Sequence, residues 1–98
     1  MNSGMHDAHC LVDHLLPVLE GEDDALLDRY SRRRRTVALE EVQRLSARNY
    51  RWHRETDPQK RAEIWQELQD IVNDHDKTRE FLLNSSMIRS RQRELEID

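Results

Sequence analysis

Apolar residues recur at helical spacing along most of this chain, and very few residues are present that could interrupt them. The first series is Met5, Ala8, Leu11, Val12, Leu15, Leu16 and Leu19, a stripe along one helix face. Ala25, Leu26, Leu27 and Tyr30 form a second, shorter face, and Ala38, Val42, Leu45 and Trp52 a seam in which Asn49 fills the gap. Ala62, Ile64, Trp65, Leu68, Ile71 and Val72 follow, then Phe81, Leu82 and Leu83. Strand-type alternation is nowhere sustained, and two Gly and two Pro leave few places to turn. The chain is therefore expected to be all-α. Its core is expected to be thin, because only 36% of the 98 residues are hydrophobic and 37% are charged, while ordering each residue costs ~1–2 kcal/mol. Four or so helices in an open assembly, lying against something larger, fit those limits.

Local chemistry places the breaks. A glycine-containing turn, Asn2-Ser3-Gly4, is expected to open a first helix running from Ser3 to Leu19 or Glu20, with Asn2 or Ser3 capping it. Pro17 removes one hydrogen bond late in that helix, and Gly21 suits the position just past its end. Glu22, Asp23 and Asp24 favour a second helix start; Thr36 suggests a break near Arg35, and one helix from Asp24 to about Glu55 fits the pattern equally. Thr56-Asp57-Pro58 is the clearest boundary, with Asp57 as cap and Pro58 in the first turn. Asp76 is expected to cap the last helix. Beyond Arg89 the residues are almost all charged, and a frayed tail is expected. Four parts result: residues 1–21, 22–56, 57–88 and 89–98.

Several functions are disfavoured by composition. A net charge of −4 argues against general affinity for nucleic acid or an anionic membrane. The Arg32–Arg35 run reads as a solvated helix turn balanced by Asp23, Asp24, Asp28, Glu40 and Glu41. A single Cys excludes an internal disulfide, no apolar run approaches the ~20 residues of a membrane span, and a cytoplasmic location is expected. His6, Cys10 and His14 follow at four-residue steps, as do His9 and Asp13. A zinc site needs ligands within ~2.3 Å of one point, which residues two turns apart on one helix cannot supply, so no metal is expected. Trp52 and Trp65 read as core anchors, and Cys10 as an ordinary buried or half-buried thiol. No Ser-His-Asp or Cys-His arrangement supports a catalytic assignment.

The opening residues, Met-Asn-Ser-Gly-Met-His-Asp-Ala-His, resemble the last flavin-contacting motif of FAD-dependent aromatic-ring monooxygenases of the para-hydroxybenzoate hydroxylase type. That motif reads Gly-Met-Asn-x-Gly-Ile-x-Asp-Ala-x-Asn-Leu, followed by a helix, a Gly and Leu-Leu-x-x-Tyr-x-x-x-Arg-Arg-Pro-Val-Ala. Here the continuation is Gly21, then Leu26-Leu27-Asp28-Arg29-Tyr30 and Arg32 to Ala38. Cys10 stands where Asn is usual, and Thr36 where Pro is usual. The resemblance implies a C-terminal portion of a flavin-dependent hydroxylase, itself a piece of a larger α/β flavoprotein. It implies a cofactor-binding set of Met1, Asn2, Ser3 and Asp7, in which the amides around Met1, Asn2 and Ser3 would face the pyrimidine edge of the isoalloxazine ring and stabilise negative charge there. Asp7 would hold the turn. Neither a glycine-rich phosphate cradle nor a substrate domain is present in these residues. The chain alone is thus expected neither to retain FAD nor to turn over, with Met1 the internal Met of a longer motif. The expected partner is the FAD-binding domain of a longer chain or another subunit. The alternative is a helical interaction module, including a homo-oligomer, without catalysis.

Overall fold

The computed structural model describes residues 2–98, and it is all-α. Helix α1 spans Asn2–Leu19, α2 Ala25–Val37, α3 Gln43–Arg54, α4 Pro58–Val72, α5 His75–Ser85 and α6 Ile88–Leu95. A π-helical turn, Ala38–Val42, joins α2 to α3 without a break. The three together form a rod that α1 and α6 pack against at one end, while α4 and α5 pair at the other. The molecule measures 59 × 28 × 18 Å with a radius of gyration of 17.6 Å, against ~13 Å for a compact chain of this length. Openness is therefore a property of the fold.

Where local chemistry decides a boundary, expectation and structure agree. Gly21 adopts φ +105°. The amide of Glu22 then bonds the Pro17 carbonyl and that of Gly21 the Val18 carbonyl, a Schellman closure. Asp57 accepts from the Gln59 amide, with Pro58 in the first turn of α4. Other boundaries differ. Asn2, Ser3 and Gly4 are already helical, so α1 opens without the expected turn; Gly4 has no positive φ to make one. The break near Arg35 is absent because Thr36 keeps the amide a helix needs. The irregularity falls instead at Ala38–Val42, where the Gln43 amide reaches back five residues to the Ala38 carbonyl. Val37, just before that wide turn, is buried, while Val42 and Leu45, just past it, are half-buried beside the start of α1 and the α5–α6 turn. Asp74, not Asp76, caps α5, accepting from the Lys77 amide.

The larger corrections concern burial. The buried apolar side chains are Cys10, Val37 and Ile64. On α1 the inward side is mixed: Cys10 and His14 are buried and Leu11, Leu15 and Val18 half-buried, while Met5, Val12, Leu16 and Leu19 are 65%, 50%, 53% and 72% exposed. Trp65, expected as a core anchor, is 64% exposed; Trp52 is half-buried beside Phe81, ring centroids 6.3 Å apart. The expected frayed tail is instead a docked helix, with Glu94 completely buried. No described helix is long and apolar enough to cross a membrane.

Candidate functional site

The sequence-predicted cofactor residues lie at the opening of α1. Met1 falls outside the described residues. Asn2 is exposed and Ser3 half-buried in the first turn, where amides lack intrahelical partners. A Cβ placed on Gly4 would meet nothing within 4 Å, so the space beside Gly4 is open. A shallow cavity of about 180 Å³ lies between Asn2, Met5 and His6 on one side and the α5–α6 turn, Ser85–Met87, on the other. Met87 holds φ 65° there, a conformation non-glycine residues rarely adopt.

Asp7 does not line that cavity. It faces α2, where Arg34 Nε donates to its Oδ1 at 2.6 Å. Arg34 NH1 lies 3.5 Å from Glu94 Oε2, and Arg91 NH1 donates to the same oxygen at 2.8 Å. A chain of charge thus runs from α1 through α2 to α6, closed by Arg91 NH2 at 3.8 Å from Asp13. Burial would raise the Glu94 carboxyl, but hydrogen bonds from Cys10 and Arg91 and the charges of Arg91 and Arg34 outweigh it and hold the group below the usual carboxylate range. The Cys10 thiol is pushed up to about 12 by burial first, then by its hydrogen bond to Glu94 and the charge there. It is a neutral, inert donor at neutral pH. Glu94 Oε1 and Arg34 NH2 are buried with no ordinary hydrogen-bond partner among the described residues, so the network is tight but incompletely satisfied.

His14 completes the buried face. Its Nδ1 lies 2.7 Å from the Cys10 carbonyl oxygen; a carbonyl only accepts, so Nδ1 carries the proton. Of the residues considered for a metal, Cys10 and His14 contact each other, and His9 lies 3.4 Å from the Asp13 carboxylate. Among the described residues no group of three His, Cys, Asp or Glu side chains comes together to hold an ion.

The arginine run is not a solvated turn. Arg33 and Arg34 are buried. Arg33 Nε donates to the Ile97 carbonyl at 2.6 Å and Arg32 Nε to the Asp98 carbonyl at 2.9 Å, cations capping the negative end of α6. Sequence reasoning missed this because the partners lie more than 60 residues downstream. The available signal was the alternation of Arg89, Arg91 and Arg93 with the acids Glu94, Glu96 and Asp98 that follow them. Set against known proteins, the chain matches no curated protein and no solved structure. Residues 1–45, which comprise α1, α2, the π-helical turn and the start of α3, match the model of a family described as an FAD binding domain.

Proposed function

We propose that this chain supplies the C-terminal portion of a flavin-dependent hydroxylase, its α1 opening set beside the isoalloxazine ring of FAD held by a partner domain, and that it is inactive alone. The observation that carries the reading is the coincidence of the matched segment with an inverted helix. Over residues 1–45 the chain buries polar groups and leaves Met5, Val12, Leu16 and Leu19 in water, the arrangement expected of a face covered by another domain. What supports a flavin here is that Asn2 and Gly4 are exposed and that amides at a helix start suit an electron-rich, anionic heterocycle edge. FAD would supply the redox chemistry of an NAD(P)H-dependent hydroxylation. Asn2 and Ser3 amides would stabilise charge at the ring edge, and Asp7, clamped by Arg34, would fix the angle of α1 rather than move a proton. The partner is the FAD-binding domain of a longer chain or a second subunit, and the cytoplasm is the location that suits it.

Equilibrium dialysis of the chain against FAD tests the reading. The isolated protein should stay colourless and retain none, because it offers an edge and no phosphate cradle. Stoichiometric tight binding would refute the partner-dependent half of it. A second reading, a dimerisation or docking module without catalysis, is favoured by the exposed Trp65 and Val72 of α4, which lie beyond the matched segment. Sedimentation separates the two: a concentration-independent monomer counts against the module.

A further inference from the structure

Helix α4 is apolar on two sides. Ile64 is buried and Ile71 half-buried on one of them, while Trp65 and Val72 lie in water on the other. Trp65 is also the midpoint of Pro58–Val72, with seven residues of the helix on each side. Positions three, four and seven places from it share its face. Toward the start of α4 these are Ala62, Arg61 and Pro58, and toward its end Leu68, Gln69 and Val72. Leu68 and Gln69 are half-buried and the other four exposed. Beside Trp65 runs a groove of about 250 Å³, walled by Trp52, Ile64 and Leu68. Charge is graded along the same helix. Lys60 and Arg61 lie at its start, soon after Arg54 at the end of α3, whereas Asp70 lies near its end with Asp74 and Asp76 just beyond. Glu63 and Glu67 stand two places from Trp65, on the opposite side of the helix, and Arg51 and Trp52 hold Glu67 there.

We propose that this face docks on the same face of a second copy of the chain, α4 against α4, antiparallel about a two-fold axis at Trp65. A two-fold interface must be self-complementary, and this face meets that condition in shape and in charge. In the stated register the two Trp65 side chains meet at the axis, Pro58 of each copy comes level with Val72 of the other, and small Ala62 with the larger Leu68 and Gln69. The apolar stem of Arg61 lies along the second copy's Leu68, and the groove beside Trp65 takes up side chains of the second copy. The basic start of each α4 comes level with the acidic end of the other, whereas a parallel pair would set like charges together. Two helices about 22 Å long form an interface at the small end of specific ones, below about 1,200 Å², so the dimer is weak. The pairing rests on the docking-module reading, to which it gives a partner and a register. It does not rest on the flavin reading, because α4 lies outside residues 1–45.

Sedimentation equilibrium of the full chain tests the pairing. The average mass should rise from monomer toward dimer with a midpoint on the order of 100 μM. Trp65→Glu should weaken the dimer at least about tenfold, while Leu39→Glu, on an exposed apolar residue of the π-helical turn, should leave it unchanged. Cross-linking reads the register. A chain with Ala62→Cys, mixed with one carrying Gln69→Cys, should form the mixed disulfide in preference to either self-pair. Positions 62 and 69 come level across the axis, whereas two copies of position 62 stand about 9 Å apart along it, beyond the ~7 Å that a disulfide spans. Cys10 is buried and does not compete. Where Trp65→Glu disturbs the fold by circular dichroism, the cross-linking mixture decides alone. A monomer at every concentration, a dimer undiminished in a folded Trp65→Glu, a dimer lost with Leu39→Glu, or preferred self-pairing of Ala62→Cys would each overturn the interface. The second and third of these outcomes leave a dimerisation module standing on another face, so its fate and that of this interface are read separately.

Discussion

The two ends of the rod are built on different principles. Where α1, α2 and α6 meet, the buried groups are His14, Arg33, Arg34, Ser90 and Glu94 with Cys10 and Val37; charge and hydrogen bonds set the geometry. Where α3, α4 and α5 meet, the buried side chain is Ile64. Contact there is made by half-exposed aromatic stacking and by surface links such as Arg51 to Glu67 at 2.9 Å and Trp52 Nε1 to Glu67 at 3.2 Å. Ionic packing is directional and fixes angles, but contributes little net stability; sparse apolar packing stabilises modestly and fixes little. The ionic end contains most of the segment that matches the FAD binding domain. Under the proposed function α1 would meet a cofactor edge, and the Asp7–Arg34–Glu94 chain is what ties α1 to α2 and α6.

The contrast can be broken most severely at Glu94. Glu94→Ala leaves Arg34 and Arg91 facing a void, and removal of one partner of a buried pair costs about 3–5 kcal/mol. Urea denaturation should show the ionic end unfolded or nearly so. Replacing the pair together, Glu94→Leu with Arg34→Met, should restore most of the loss, since apolar substitutes of similar volume are tolerated; failure of the double variant to recover would mean that the network does more than fill space. Next in size, Ile64→Ala should cost about 2 kcal/mol and act locally. Amide exchange should rise in α4 and α5 while α1 and α6 remain protected, and uniform acceleration would show that the two ends are one cooperative unit.

The pH response sharpens the same comparison. Glu94 titrates below its ordinary value of 4.5 in the folded chain, so its stabilisation is present above that value and is lost as pH falls through the lower folded pKa. Cys10 moves the other way, from 9.0 to about 12. The folded state holds that proton more tightly, so stability is full below pH 9.0 and declines as pH rises toward 12, by on the order of 1 kcal/mol per pH unit. Cys10→Ser should flatten the alkaline limb of a stability–pH curve and leave the acid limb in place. The smallest effect belongs to the surface. The Arg93–Glu40 and Arg89–Glu80 pairs, at 2.7 Å each, hold both carboxyls low through the arginine hydrogen bond, yet they lie in solvent. Arg93→Ala should be near the detection limit of a melting curve, and less so at low salt.

What the sequence discloses follows from how local each cause is. Gly21 and the Asp57-Pro58 pair act within four residues, so turn and cap chemistry place them. Asp74 and Asp76 are equally good caps by type, and the choice between them depends on where α4 ends. The burial of α1 is not local: a stripe of Met5, Val12, Leu16 and Leu19 reads as the inward face until Arg34 and Glu94, from two distant segments, claim Asp7, Cys10 and His14. Likewise the charged tail reads as frayed because its partners, Arg32 to Arg34, are read as balanced by nearby acids. For the candidate site, the opening residues are picked out by their likeness to the flavin motif, whereas the ionic chain from Asp7 through Arg34 to Glu94 needs three elements brought together and has no motif at all.

The central claim is that α1 turns Cys10 and His14 inward and leaves Met5, Val12, Leu16 and Leu19 in water. Methyl NMR with a soluble paramagnetic probe reads both faces at once. Met5, Val12, Leu16 and Leu19 should broaden strongly in the isolated chain, while the Cys10 and His14 protons stay sharp. Shielded methyls together with broadened Cys10 and His14 would turn the helix over, and would contradict both the ionic core and the docking face built on it.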